Sequence, residues 1–449
     1  MNEFQLALAA LPRADNHKAN EAVVIDEMYV VPSHRKALDL DRALVVGNRG
    51  MGKSFWAHAL VNADARKKIA KDLKLPELAT ARVRIGFNAS SGTDGFAPTA
   101  SMLNSALQKG FEPKELFMAL LVRVLALRVD EQIPPEFETL LTWVREHSEI
   151  VAKLIHRAEQ IDVLDVVVFD ALDRLSDTPD KNNNLIKGLL EVSLQAISMR
   201  SIRFKIFIRS DQYADAKLFE FADASKLKNQ AAKLVWLPED LYSLLFFRLR
   251  VVPCFRELLT TGSTLDHVNA IAGEFMGKDK RRGRVWTWLI THLADANGEI
   301  SPRTFLTVWQ VAAVQAKSEL ASPRAVDPIS LGDGVREASE DRLNELGEDY
   351  PWVNTLLEPL RGKAVPLLRT ELEKVWKDND SFLKVKSPKT IWISTAPGAS
   401  ESDQLISALE LIGVAEVRLN QKINVPDIFR VHAGIKRLGG VPPRAKTTA

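Results

Sequence analysis

Eight consecutive residues, Gly47-Asn48-Arg49-Gly50-Met51-Gly52-Lys53-Ser54, carry glycine, lysine and serine at the spacing G-x-x-x-x-G-K-S. That pattern suits a phosphate cradle. Glycines let the chain turn tightly with its amides pointing inward. A helix starting at the lysine adds positive potential at its N-terminus. In this reading Gly47, Asn48, Arg49, Gly50, Met51, Gly52, Lys53 and Ser54 bind a nucleotide, with Lys53 at the β- and γ-phosphates and Ser54 on Mg²⁺. The plain alternative is a glycine turn followed by a surface lysine. An apolar strand before the loop and helix-forming residues after it favour the phosphate.

Two further runs could complete such a site. Asp165-Val166-Val167-Val168-Phe169-Asp170-Ala171-Leu172-Asp173-Arg174 ends an apolar strand on a carboxylate, Asp170, which would hold the Mg²⁺ shell through water. A glutamate commonly follows such an aspartate, but here position 171 is alanine. Asp173 is then the nearest acidic group to orient a water, provided the chain curls at Ala171. A structural carboxylate paired with Arg174 is the competing reading. In Phe204-Lys205-Ile206-Phe207-Ile208-Arg209-Ser210-Asp211-Gln212 a largely apolar strand again stops at polar residues. Arg209 or Ser210 could sense a γ-phosphate there, and Arg209 could neutralise developing charge.

These runs need a sheet to position them. Strands are expected near Ala43–Val46, Val83–Phe87, Asp165–Phe169 and Phe204–Ile208, with a fifth at Leu234–Leu237. Helical patterns lie between them, at Lys53–Ala63, Glu112–Arg128, Phe137–His156 and 182–199. The alternation argues for an α/β sheet covered on both faces. After about residue 238 the pattern turns helical, at Leu241–Val251, Leu265–Phe275, Val285–Ala294 and Arg303–Lys317. Residues 321–350, rich in Pro, Gly and charge, read as a link. Beyond them come a short run at Thr390–Ser394, a helix at Glu401–Ile412 stopped by Gly413, and a hairpin around Asn420-Gln421-Lys422.

The whole-chain numbers constrain class rather than chemistry. A chain of 449 residues exceeds one ordinary core, so two or three domains are expected. Sixty Lys and Arg against 58 Asp and Glu give a net charge of +2, which denies a global basic field. Locally, Lys278, Lys280, Arg281, Arg282 and Arg284 cluster, and residues 430–449 hold five Lys/Arg without an acid. Either run could meet DNA phosphates or a protein. A single cysteine, Cys254, excludes a disulfide scaffold and reads as a buried small hydrophobe. The eight histidines show no metal-ligand spacing. The stretch Met118–Val129 is interrupted by Arg123 and Arg128, so no membrane span and no leader are expected, and the chain reads as cytoplasmic.

Together GNRGMGKS, VVVFDALDRL and KIFIRSD resemble the additional-strand P-loop ATPases, especially the AAA+/STAND/KAP-like group. The resemblance covers about residues 25–310. It implies ATP as the nucleotide, with Mg²⁺, and a sheet in which the catalytic-acid strand lies between the phosphate-loop strand and the sensor strand. It implies a helical lid after the core and often a winged helix beyond it, so that with the pattern above the chain divides into a P-loop core over 1–238 with a short lead-in, a helical lid over 239–320, the link over 321–350, and a winged-helix-like domain over 351–449. Arg303, at a helix start after proline, and Arg284 are the candidates it offers for a second arginine sensor. Lys53, Asp170, Asp173 and Arg209 would then form the catalytic set, with Ser54 and Asp170 on the metal. Proteins of this kind resemble ATP-driven switches that self-associate or engage an effector. Some are similar to bacterial anti-phage defence ATPases.

Overall fold

Runs of Val, Ile and Phe favour extended chain and, when buried on both faces, form the middle of parallel sheets. In the computed structural model, which describes residues 1–12, 23–88, 95–278, 280–385 and 400–437, four such runs and one short Ala-Lys strand pair in parallel. They are β1 (Leu44–Val46), β2 (Arg82–Phe87), β3 (Asp165–Phe169), β4 (Ile202–Ile208) and β5 (Ala232–Lys233), in the order β2–β3–β4–β1–β5. β1 and β3 are wholly buried and β4 almost so.

This order corrects the expected neighbours. The sensor strand β4 lies between the phosphate-loop strand β1 and the acid strand β3. Val46 aligns with Ile208 on one side, and Phe169 with Ile206 on the other. One strand thus stands between the loop strand and the acid strand. The motifs reveal where each strand ends, but strand neighbours depend on crossovers that no local pattern encodes. Two smaller differences follow from local geometry. The fifth strand sits two residues early, and the helical run at 137–156 breaks at His147 into Phe137–Glu146 and Ser148–Ala158.

The chain divides into two compact units, residues 17–235 and residues 1–16 with 236–449. The first holds the sheet, with the Pro113–Arg128 and Pro179–Ile197 helices packed on each other.

The second unit has its own apolar cluster, running from Leu8 through Ile435. The N-terminal segment belongs here rather than to the sheet unit. The helix Glu3–Ala9 packs on the helix Pro302–Gln315, and the buried Gln5 amide donates to the Ala313 and Ala316 carbonyls at 3.2 Å. The segment read as a link also differs. Within 321–350 lies a 22-residue helix, Pro328–Asp349, capped by Asp327 and burying Leu331, Val335, Ala338, Leu343 and Leu346. Gly334 explains why it looked like a linker. A Cβ there would stand 2.5 Å from the Val308 carbonyl oxygen, so glycine is what lets this helix meet Pro302–Gln315 closely.

The same unit carries a three-stranded antiparallel sheet of β6 (Leu367–Leu368), β7 (Glu416–Val417) and β8 (Lys422–Asn424), in the order β6–β8–β7. The helix Arg369–Asp378 follows β6, and the helix Glu401–Leu411 precedes β7. The Thr390–Ser394 run and the basic tail from Leu438, including Arg444 and Lys446, lie outside the described residues. Cys254 is half-buried against the second core rather than fully enclosed, and burial raises its thiol pKa. Among the described residues no helix is long and apolar enough to cross a membrane.

Candidate nucleotide site

β1 delivers the chain to the loop. The Gly47 amide donates to the Ile208 carbonyl at 3.1 Å, so the loop leaves the sheet beside the end of β4. Gly50 and Gly52 take φ of 83° and 95°, values that a side chain would strain. Met51 between them is 1% exposed and anchors the turn inward. The helix Lys53–Val61 starts at Gly52, and no side chain caps it. Its first amides are thus open to an anion, and its dipole favours one.

Lys53 folds back over the loop. Its ammonium donates to the Gly47 carbonyl at 2.8 Å and the Asn48 carbonyl at 3.0 Å. Burial pulls its pKa down to about 8, opposed by the charge of Asp170, furthered by Arg209, and opposed again by Asp211 and Asp173. All four of those charged groups therefore lie within electrostatic reach of one ammonium. Ser54, the next residue, is exposed, and its carbonyl pairs with His58 Nδ1 at 2.7 Å.

Asp170 sits at the carboxyl end of β3. Its amide donates to the Phe87 carbonyl at 2.9 Å, and the residue is 3% exposed. The chain does curl directly after it. Ala171 adopts φ 54°, ψ 42°, a left-handed conformation that costs an alanine energy. A single helical turn, Leu172–Arg174, follows. Leu172 and Leu175 are buried and pin that turn, while Asp173 and Arg174 are exposed. Arg209 leaves the end of β4 in extended conformation, and its guanidinium grips Asp211.

The structure thus brings Lys53, Asp170, Asp173 and Arg209 to one edge, the carboxyl edge of β1, β4 and β3. It does not bring Arg303 into the same unit. Arg303 lies in the second unit at the start of the Pro302–Gln315 helix, with Nη1 2.5 Å from Glu345 Oε1. Arg284 pairs there with Glu274 at 3.0 Å. The residues fit a magnesium-bound phosphate chain. An uncapped helix start, two left-handed glycines and a cation face a buried carboxylate. Sequence reading gave Asp211 no role. The signal was an Arg-x-Asp spacing directly after a strand, which lets two side chains meet on one side of a turn. It also passed over His34, a buried residue whose Nδ1 accepts from Trp56 Nε1 at 2.9 Å and so ties the segment before β1 to the loop helix.

No family model and no curated protein matches the sequence. Among solved structures, Cdc6p from Pyrobaculum aerophilum is similar, at 13% identity over 86% of this chain and 83% of that one, with a TM-score of 0.32. The ORC2 protein of Aeropyrum pernix, solved as ADPNP–ADP complexes, is similar at 14% identity over 86% of this chain and 84% of that one, with a TM-score of 0.30. Likenesses this distant leave the site to its own residues.

Proposed function

We propose that the chain binds ATP with Mg²⁺ at residues 47–54 and hydrolyses it as a molecular switch. The observation that carries this reading is the Lys53 ammonium, folded back over the glycine loop at a helix start without a side-chain cap, and within electrostatic reach of Asp170 and Arg209. Ser54 and Asp170 would hold the metal, which supplies charge neutralisation between the β- and γ-phosphates. Asp173 orients the attacking water and takes its proton. Lys53 and Arg209 stabilise charge on the transferred phosphoryl group. Lacking a glutamate beside Asp170, the site depends on the curl at Ala171 to offer its acid.

The resemblance supports a place for this switch in a bacterial multi-protein defence or DNA-processing assembly, with self-association or an effector as its output. A winged-helix-like part in the C-terminal region is supported by the succession of β6, the helices Arg369–Asp378, Ser381–Val385 and Glu401–Leu411, and the β7–β8 hairpin, and by the β6–β8–β7 order. Replacing Lys53 with Ala should abolish Mg²⁺-dependent ATP hydrolysis, a loss of about 100-fold or more. Wild-type turnover no higher than that of the variant would replace the enzyme with a nucleotide-dependent adaptor.

One observation favours a second, DNA-binding role. Lys278, Lys280, Arg281, Arg282 and Arg284 are all exposed. They ride on a loop closed by the Phe275–Arg284 bridge and by the Met276 amide donating to the Gly283 carbonyl at 3.0 Å. If duplex phosphates are the partner, replacing Lys278, Lys280 and Arg282 with Ala should lower the salt slope of binding by roughly 0.9 for each phosphate left without its cation. An unchanged slope would remove the loop as the DNA-binding element.

A further inference from the structure

We propose that Asp211 is a latch on Arg209: its carboxylate holds the guanidinium while no triphosphate is bound, and a γ-phosphate takes its place. The inference rests on the nucleotide reading above and names how that site responds to its ligand.

Three observations carry it. First, the grip is a fork. Arg209 Nε donates to Asp211 Oδ1 at 3.0 Å, and Nη2 donates to Oδ2 at 2.7 Å. Bidentate pairs of this kind are well oriented and stronger than single contacts. Second, the pair stands where a γ-phosphate would act. Arg209 follows Ile208, whose carbonyl accepts the first amide of the phosphate loop, and both Arg209 and Asp211 act on the charge of Lys53. Third, the pair can open. The two side chains are 19% and 24% exposed, so water can solvate each as they part.

The local charges decide the direction. Around Lys53 stand one further cation, Arg209, and three carboxylates, Asp170, Asp173 and Asp211. An entering triphosphate meets its metal at Asp170, while Asp173 lies on the exposed turn. Asp211 is the carboxylate already occupying a cation the phosphate needs. A γ-phosphate carries roughly two charges to the carboxylate's one and lies where the fork stands, so it wins the exchange. A diphosphate lacks that group and leaves the fork closed. The released Asp211 sits in the short helix Ser210–Ala214, whose Tyr213 packs edge-on against Phe219 at 5.8 Å. Opening the fork therefore frees a packed turn next to the sheet.

The test compares a non-hydrolysable ATP analogue with ADP, both with Mg²⁺, by calorimetric titration of the full chain. Asp211→Asn removes the resting grip, so the analogue should bind about fivefold tighter relative to ADP, the size expected of a partly exposed ion pair. Asp211→Glu should return the ratio to the wild-type value. In an Arg209→Gln background, Asp211→Asn should no longer move the ratio. Asp211→Ser carries the same expectation as Asp211→Asn, should the amide disturb the turn. Equal shifts for the two nucleotides, or a shift that persists without Arg209, would overturn the latch while leaving the nucleotide site intact. A wild-type chain that binds neither nucleotide would overturn the site and the latch together.

Discussion

β3 carries a carboxylate at each end, and the two live in opposite conditions. Asp165, at the amino end, is 2% exposed and saturated. Arg82 reaches it at 2.7 Å, Arg84 at 3.1 Å and Arg128 at 2.5 Å. Asp170, at the carboxyl end, is 3% exposed, yet among the described residues no hydrogen bond or ion pair reaches its carboxylate. Burial alone does not separate a structural carboxylate from a functional one. A buried charge needs partners. Where the fold supplies them all, the group belongs to the scaffold, and where it withholds them, a ligand is expected to complete the set.

The lysines repeat the contrast. Lys205, in the middle of β4, is fully buried and donates to the Asp39 carbonyl at 2.6 Å and the Arg42 carbonyl at 2.7 Å. Burial lowers its pKa to about 7. Lys53 also rests on two carbonyls with a lowered pKa, but at a half-buried loop facing carboxylates. One ammonium is sealed beneath the sheet, while the other can exchange its carbonyls for phosphate oxygens.

The largest expected effect sharpens the first contrast. Asp165→Asn leaves three arginines without their counter-charge, so the fold should lose about 3–5 kcal/mol, read as a lower denaturation midpoint of the full chain. A midpoint within experimental error of wild type would show that the arginines find other partners, and the saturated end would lose its structural role.

Asp170→Asn should do the reverse. Removing a buried charge that accepts no hydrogen bond is favourable, while taking the Asp170 charge from the Lys53 ammonium is not, so the midpoint should stay within about 1 kcal/mol of wild type. Mg²⁺-dependent hydrolysis should fall about 100-fold or more, because the metal loses its buried carboxylate. If the variant instead unfolds like Asp165→Asn while residual turnover persists, the two ends of β3 are alike, and Asp170 belongs to the scaffold.

What could be read in the sequence follows from how local each signal is. The phosphate loop occupies eight consecutive residues and Asp170 ends its own strand, so both are visible without knowledge of the sheet. Asp165 gave no signal, because its arginines lie 37 to 83 positions away in the chain. The placement of β4 between β1 and β3 was hidden for the same reason. The Pro328–Asp349 helix was obscured by its own composition. Gly332, Gly334 and Gly347 lower helix propensity, and the close approach to Val308 that makes Gly334 useful exists only after folding.

The smallest expected effect tests the exchangeable lysine through pH. With a pKa of about 8 in the nucleotide-free fold, Lys53 is charged at neutral pH and loses its proton as pH rises through 8. A phosphate beside it favours the charged form, so binding above pH 8 must take up a proton, and affinity should fall by up to about tenfold per pH unit there. Stability should move the other way. The ordinary pKa of 10.5 applies to the unfolded chain, which therefore holds more protons between about pH 8 and 10.5, so this group's penalty on the fold is relieved as pH rises through that window. The measurement is the affinity for Mg²⁺-ADP from pH 7 to 9.5, with proton uptake read from titrations in buffers of different ionisation enthalpy. Lys53→Met should bind more weakly and lose the pH dependence. A wild-type affinity flat across that range would mean the ammonium never meets phosphate, and Lys53 would then stand with Lys205 as a sealed structural cation.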